Sequence, residues 1–208
     1  MFSRWRNSMV LRVTATIVLF STGIIWLVGS ALFTQIENGI NKEKVTSSIS
    51  DAQSITRSTQ FQLWYTQYQN VNKIPKVLTS LITDPTLDGS ANGRDIAIFP
   101  YPNLKGAYKL SIFSNVLLPD SIPQKFRERD RKTNSTIQTR GILYYKNKPS
   151  QKGLIVGSNL TVEGIGKYEI YVVYSFERQE YTIKLVKNAL LIAGLVLMVL
   201  IFPYRVAR

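Results

Sequence analysis

Three aspartates that lie close together in the sequence are the first candidates for chemistry. Asp84, Asp88 and Asp95 could supply carboxylates to a metal ion or to acid–base catalysis. Their spacing does not fit a calcium-binding loop, and Asp84-Pro85 and Asp88-Gly89 are ordinary turn sequences. We therefore predict turns in this segment and no metal site.

Two residue types that carry much of protein chemistry are missing from the sequence. The 208 residues include no histidine and no cysteine, which excludes phosphohistidine chemistry, thiolate nucleophiles, disulfides and zinc–thiolate sites. An enzyme would have to use carboxylates, Ser–Lys pairs or tyrosine, and no nucleophile, base and oxyanion hole can be assembled from the sequence. We predict no catalytic, cofactor-binding or metal-binding residue in this chain, and no cofactor.

Two further motifs have an ordinary and a functional interpretation. Gly164-Ile165-Gly166 is a lone GxG that predicts a hairpin turn, with a phosphate cradle as the alternative. Lys125–Lys132 alternates basic and acidic residues, which is typical of a solvated helix face. The alternative for this run is a contact with phosphate-bearing polymers or lipid head groups.

The elements that must position these residues are organised around one apolar stretch, Val13–Phe33. Its 21 residues carry no charge, and as a helix they span roughly the 30 Å hydrocarbon core of a bilayer. We predict transmembrane helix 1 at residues 13–33, after a basic leader at residues 1–12 whose arginines favour the cytoplasm. A buried core helix and a cleavable signal peptide with a weak site at Ser30-Ala31 are the alternatives.

The first helix is predicted to continue beyond the bilayer to about Trp64. Apolar residues recur mostly every three or four positions among polar ones, which indicates a helix with one buried face. They are Ile36, Ile40, Val45, Ile49, Ala52 and Ile55. An aromatic cluster follows and is predicted to be the core contact of this helix, with an aromatic ligand box as the alternative. It consists of Phe61, Leu63, Trp64, Tyr65 and Tyr68.

The middle of the chain predicts a mixture of helices and strands. Helices are expected at Pro75–Ile82 and Ser121–Lys132, the second opened by Pro123. A strand is expected at Asp95–Phe99, with a weaker candidate at Tyr108–Phe113. Three more strands with short connections predict an antiparallel meander. They are Ile142–Lys146, Gly153–Thr161 and Lys167–Ser175.

A second apolar run, Ala189–Phe202, predicts transmembrane helix 2 at residues 189–204, followed by a cytoplasmic end at 205–208. Residues 34–188 then form one extracytoplasmic domain between two transmembrane helices, in a multi-pass protein of the cell membrane with both termini in the cytoplasm. The net charge of +13 suggests acidic partners, but basic residues flank the apolar segments, which favours the lipid bilayer and argues against nucleic acid.

Three places give the sequence its resemblance to a known family. They are the segment from Arg12 to Ile36, the strand with proline at 95–100, and the segment 153–187, which contains Tyr168–Phe176 and leads into the second apolar run. In these places and in its layout the chain resembles the input half of a bacterial sensor histidine kinase, more narrowly an MtrB-type kinase of actinobacteria. By analogy, its outer domain is expected to be an α/β (α+β) domain of the PDC/Cache-like kind.

The resemblance implies a homodimeric kinase that acts on the response regulator MtrA, with the lipoprotein LpqB as an extracytoplasmic partner. Such kinases continue with a HAMP linker, a phosphoacceptor histidine and a domain that binds ATP and Mg²⁺. None of these is in the given sequence, so we expect a truncated, split or stand-alone sensor module that is inactive alone. One alternative is a non-signalling membrane-anchored binding or scaffold protein whose basic outer domain contacts anionic cell-wall polymers or a partner protein. A membrane-bound hydrolase is a less favoured one.

Overall fold

The computed structural model describes residues 9–83, 94–114, 116–133 and 135–206, with side chains described from residue 13 to residue 196 except at positions 14, 15 and 18. Asp84 and Asp88 lie outside the described residues. The chain divides into two compact units. One, the helical unit, comprises the described parts of Met1–Lys42 and Gln179–Arg208, and the other, the folded unit, is Glu43–Arg178.

Helix α1 is one unbroken helix, Met9–Gln69, that contributes to both units. In the folded unit its buried residues recur at the predicted helical spacing: Ala52, Ile55, Thr59 and Leu63. The predicted stripe is therefore confirmed from Val45 onward, because Val45 and Ile49 pack beside the same core. The helix ends five residues later than expected, and the 3₁₀ turn Val71–Lys73 follows it.

The apolar part of α1 has the length and composition of a membrane span. Within Leu19–Gln69, an 18-residue window reaches a mean hydropathy of 1.6 and none of it is buried. Leu19, Phe20 and Trp26 are each more than 70% exposed. A core helix of a soluble protein would bury such side chains, so this segment is distinguished from one by its exposure.

Five strands form one antiparallel sheet in the folded unit. They are β1 (Arg94–Pro100), β2 (Ile112–Phe113), β3 (Ile137–Leu143), β4 (Gln151–Val162) and β5 (Gly166–Ser175). Their order across the sheet is β2-β1-β5-β4-β3, so β5 is the central strand and lies between β1 and β4. The meander β3-β4-β5 confirms the prediction. Gly164 and Gly166 have positive φ in the β4–β5 hairpin, as the turn prediction requires.

Helices cover both faces of the sheet, and the architecture is therefore α+β. On one face lie α1 and α2 (Ile74–Thr83), over the even-numbered side chains of β5. On the other face lies α3 (Gln124–Lys132), which buries Phe126 against Tyr171 and Ile155. The last helix, α4 (Glu177–Val206), begins two residues after β5 ends.

The boundaries of β3 differ from the prediction of a strand at Ile142–Lys146. The strand begins at Ile137. Its outer face is solvated, so its first residues alternate in exposure and look polar in the sequence, and the prediction therefore missed them. Residues 144–146 instead pair with the 116–118 segment, through Leu118 N–H to Tyr144 O (2.9 Å) and Lys146 N–H to Val116 O (3.0 Å).

The aromatic cluster of α1 is not the core contact that the sequence predicts. Only Leu63 is buried, whereas the four aromatic side chains are 48–74% exposed: Phe61, Trp64, Tyr65 and Tyr68. A helix turns about 100° per residue, and Leu63 completes the stripe that faces the sheet. Its aromatic neighbours in the sequence therefore point away from that face.

Candidate functional site

A buried carboxylate, Glu169 of β5, is the centre of a charge cluster between the sheet and α3. Its side chain is completely buried. Arg127 Nε donates to Glu169 Oε2 (2.8 Å), and Arg131 Nε donates to Oε1. Tyr171 Oη donates to Oε2 at 3.0 Å. Since the two arginines are four residues apart on α3, one helix face delivers both guanidinium groups to one carboxylate.

The guanidinium of Arg127 has a second partner on the sheet. Its carbon lies 3.6 Å from the centroid of the Phe99 ring, which is the geometry of a cation–π contact. Both arginines remain partly exposed, at 21% and 27% of the side chain, whereas the carboxylate has no access to water. The burial of the charged Glu169 side chain therefore depends on these ion pairs, whereas the arginines can also be hydrated.

A second buried carboxyl, Asp130 of α3, lies beside this cluster. It is 0% exposed, and neither of its carboxyl oxygens has a hydrogen-bond partner within the described part of the chain. Burial raises the pKa of Asp130 to about 6, and the Glu169 charge acts in the same direction, while Tyr171 and Arg131 act against it. Tyr171 Oη is near enough to Asp130 to favour the ionised carboxyl, but the hydroxyl has one proton, and its 3.0 Å contact directs that proton to Glu169.

Gly157 of β4 makes room for these side chains. A Cβ at this position would lie 2.7 Å from Tyr171 Cε1 and 3.1 Å from Asp130 Oδ2. Tyr171 is fully buried, and burial together with the charges of Asp130 and Glu169 raises the pKa of its hydroxyl. The close approach of α3 to the sheet thus depends on a missing side chain.

The carboxyl end of α3 is fixed by Asn159 of β4. Its amide nitrogen donates to the carbonyls of Asp130 (3.1 Å) and Thr133 (3.0 Å), and its oxygen accepts from Tyr101 Oη (3.0 Å). A side chain of the sheet thereby donates to two carbonyls at the end of the helix, of which the Asp130 carbonyl also accepts from Thr133 N–H (3.0 Å). The position of α3 on the sheet therefore rests on both polar and ionic contacts.

A second polar cluster joins α1 to the sheet on the opposite face. Arg94 Nη1 of β1 contacts both Asp51 oxygens (3.0 and 3.1 Å), and Tyr174 Oη of β5 donates to Asp51 Oδ2 (2.8 Å). Burial raises the pKa of Tyr174, and its hydrogen bond to Asp51 adds to the effect. Lys44 lies 5.6 Å from the Tyr174 ring centroid, and burial together with Arg178 lowers its pKa.

An open groove of about 430 Å³ lies beside α1, at the exposed aromatic stripe. The groove is lined by Thr56, Arg57, Gln60, Phe61, Trp64 and Asn159. Trp64 contacts Phe61 in a tilted arrangement and Tyr68 edge to face, with ring centroids 6.0 and 5.0 Å apart. The prediction of an aromatic ligand box stays open, and this groove is its location.

The chemistry these arrangements offer is the binding and release of a proton. Among the described residues no group of three or more acidic side chains could hold a metal ion. Of the three candidate aspartates, the structure describes Asp95, which lies on β1 and is almost fully buried. Burial of Tyr145 raises the pKa of that tyrosine, and the neighbouring Asp95 adds to the effect. Asp95 does not join the Glu169 cluster.

The solvated-face interpretation of Lys125–Lys132 is correct for one side of α3 and wrong for the other. Lys125, Glu128 and Arg129 are exposed, whereas Asp130 is buried and two arginines reach the sheet. Sequence reasoning also missed Glu169. A signal was present: strict alternation along β5 places this one acidic residue on the same face as Tyr171 and Val173.

Known proteins share little with this chain. No family model matches the chain, and no curated protein matches it. Among solved structures, one described as an RNA-binding light-oxygen-voltage receptor aligns with 49% of this chain at 8% identity and a TM-score of 0.33. The chain spans about a third of that structure's length. A likeness at this level identifies neither a ligand nor an activity for this chain.

Proposed function

We propose that this chain is the membrane-embedded input module of a two-component sensor histidine kinase. The observation that carries the proposal is the continuity of α1, in which one helix holds an exposed apolar segment and also residues of the folded unit's core. A change in the packing around Ala52 or Leu63 therefore acts on the same helix that enters the bilayer.

The proposed topology places the folded unit outside the cytoplasm, with α1 and α4 as the two transmembrane helices and both termini inside. What supports a second span is the exposure of its described apolar residues, since Leu191, Ile192 and Leu195 are each about 60% exposed. Much of the predicted segment 189–204 lies beyond the side chains that the structure describes. On this proposal the sensor domain is of the PDC/Cache-like kind.

Signalling would proceed by displacement of α4 relative to α1. The strand β5 leads directly into α4, and its Tyr174 is hydrogen-bonded to Asp51 of α1. A stimulus that stabilises one packing of the sheet against α1 would shift this connection, provided that it binds the two states with different affinities. In a homodimeric kinase the shift would pass to the HAMP and kinase domains, and the kinase would act on an MtrA-like response regulator. An LpqB-like lipoprotein would be the extracytoplasmic partner.

A fusion to a kinase core tests this function. Residues 1–208 would be joined to the HAMP and kinase domains of a histidine kinase, and autophosphorylation measured in membrane vesicles for the parent, Asp51→Asn and Tyr174→Phe. Tyr181→Phe, at an exposed tyrosine of α4, is the matched control. We expect the kinase activity of the first two variants to differ from that of the parent, and the activity of the control to equal it. Identical activity in all four fusions would contradict the sensor proposal.

A membrane-anchored scaffold that binds anionic wall polymers is the second candidate function. It is favoured by the excess of basic residues and by the aromatic groove that contains Arg57. This function requires affinity for teichoic-acid-like polymers that falls steeply with salt. It also predicts that the kinase fusions are insensitive to changes at Asp51 and Tyr174, so one set of fusions separates the two functions.

A further inference from the structure

The Asp130 carboxyl is buried in a place that suits its neutral form. It faces charged or titratable groups from three parts of the fold: Glu169 and Tyr171 on β5, Arg131 on α3, and Tyr101 after β1. Arg131 Nε and the Tyr171 hydroxyl both donate to Glu169. An ionised Asp130 is then a second buried anion that must compete with Glu169 for the Tyr171 proton and for Arg131.

The consequences of ionisation fall on the contact between α3 and the sheet. A charged Asp130 can regain hydrogen bonds by leaving the sheet for water, or by drawing Arg131 away from Glu169. Either movement weakens contacts that hold α3, including the Asn159 hydrogen bonds to the carbonyls of Asp130 and Thr133. A neutral Asp130 has no such conflict, because burying an uncharged carboxyl costs far less than burying an ion.

We propose that Asp130 is a proton-binding site that holds α3 on the sheet when it is protonated and loosens α3 when it is ionised. The ligand is the proton, and in a sensor module it would serve as the extracytoplasmic stimulus. That last step rests on the proposed function, whereas the coupling between proton binding and the docking of α3 does not.

The size of the effect follows from the two protonation equilibria. With a pKa of about 6 in the docked state and the ordinary value of 3.8 once exposed, the docked state binds protons more tightly. The opening of α3 should therefore increase about tenfold between about pH 5 and about pH 8, with most of the change near pH 6. A raised pKa means that the stabilisation is present at low pH and is lost as the pH rises.

Hydrogen–deuterium exchange on the whole chain in lipid nanodiscs tests this inference. Peptides that cover Gln124–Lys132 are followed at several pH values, with rates corrected for the intrinsic pH dependence of exchange. We expect about tenfold faster corrected exchange at about pH 8 than at about pH 5 in the wild type. We expect no such change in Asp130→Asn, which keeps the shape and removes the ionisation. Glu128→Gln, at an exposed position on the same helix, should behave like the wild type.

Two outcomes would overturn the proposal. One is corrected exchange of α3 that does not depend on pH in the wild type, and the other is an equal dependence in Asp130→Asn. Infrared difference spectroscopy with isotope-labelled aspartate gives an independent measurement in the unmutated chain. It should show a carboxylic-acid carbonyl band that disappears around pH 6, and the absence of the band would also overturn the proposal. Neither readout uses the kinase fusion, so failure of the sensor function is recognised separately.

Discussion

Tyr174 Oη donates a 2.8 Å hydrogen bond to Asp51 Oδ2, and this contact joins the last strand of the sheet to the long helix α1. The two residues are 123 positions apart in the sequence. Arg94 holds the same carboxylate from β1. Three elements therefore meet at Asp51, next to the point where β5 leads into α4.

Removal of the Tyr174 hydroxyl should weaken this junction. We expect Tyr174→Phe to lower the free energy of unfolding of the folded unit by about 1–2 kcal/mol, because a partly buried bond to a charged acceptor is lost. Circular dichroism during thermal unfolding of the full chain in detergent measures this loss of stability. Tyr181→Phe is the control, since that side chain is 63% exposed and should be neutral. Equal melting curves for both variants would show that the junction adds no stability.

A side chain at position 157 should disturb the packing of α3. We expect Gly157→Ala to destabilise the folded unit by about 1–3 kcal/mol, because the new methyl group would meet the ring of Tyr171. Gly141→Ala on β3 is the matched control, since its Cβ would meet only Ile155 Cδ1 at 3.5 Å. Denaturant unfolding compares the two variants, and a tolerated Gly157→Ala would show that α3 docks less closely than described.

Truncation at the neighbouring positions 63 and 64 should destabilise the folded unit to clearly different extents. Leu63→Ala removes a fully buried side chain and should cost about 2–5 kcal/mol of stability. Trp64→Ala removes a larger side chain that is 48% exposed and should cost about 1 kcal/mol or less. Thermal unfolding of both variants checks this. The reverse order of stabilities would place the aromatic stripe in the core, as the sequence had predicted.

Neutralising Glu169 should affect both stability and the response to pH. We expect Glu169→Gln to cost about 3 kcal/mol, because two charge-assisted hydrogen bonds lose their acceptor charge. It also removes a charge that raises the pKa of Asp130, so the pH midpoint of α3 exchange should move below about 6. Hydrogen–deuterium exchange measures that midpoint. An unchanged midpoint would mean that the two carboxyl groups do not interact.

Single cysteines can test the topology, because the sequence contains none of its own. We expect an impermeant thiol reagent on whole cells to label Ser150→Cys, at an exposed position of the folded unit, and to leave Ser3→Cys unlabelled until the cells are opened. Ala207→Cys should behave like Ser3→Cys if α4 spans the membrane. Labelling of Ala207→Cys on intact cells would rule out the two-span arrangement.

Much of the secondary structure of this chain is determined locally and could be predicted from the sequence. The apolar run at 13–33 and the stripe through Ala52 and Ile55 give α1, because a helical period and the absence of charge leave few alternatives. The alternation of Tyr168–Tyr174 with short glycine turns gives the antiparallel meander. These features depend on neighbours within a few residues.

The charge cluster was decided by tertiary structure alone. A run such as Lys125–Lys132 has the composition of a surface helix, and nothing local indicates that a strand 40 residues later places Glu169 beneath it. Burial of Asp130 depends on the space that Gly157 leaves and on Tyr171 beside it, which are brought together only by the folding of α3 onto the sheet. The sequence by itself determines which elements form, whereas the packing of distant elements decides which charges lose their water, because desolvation depends on every neighbour at once.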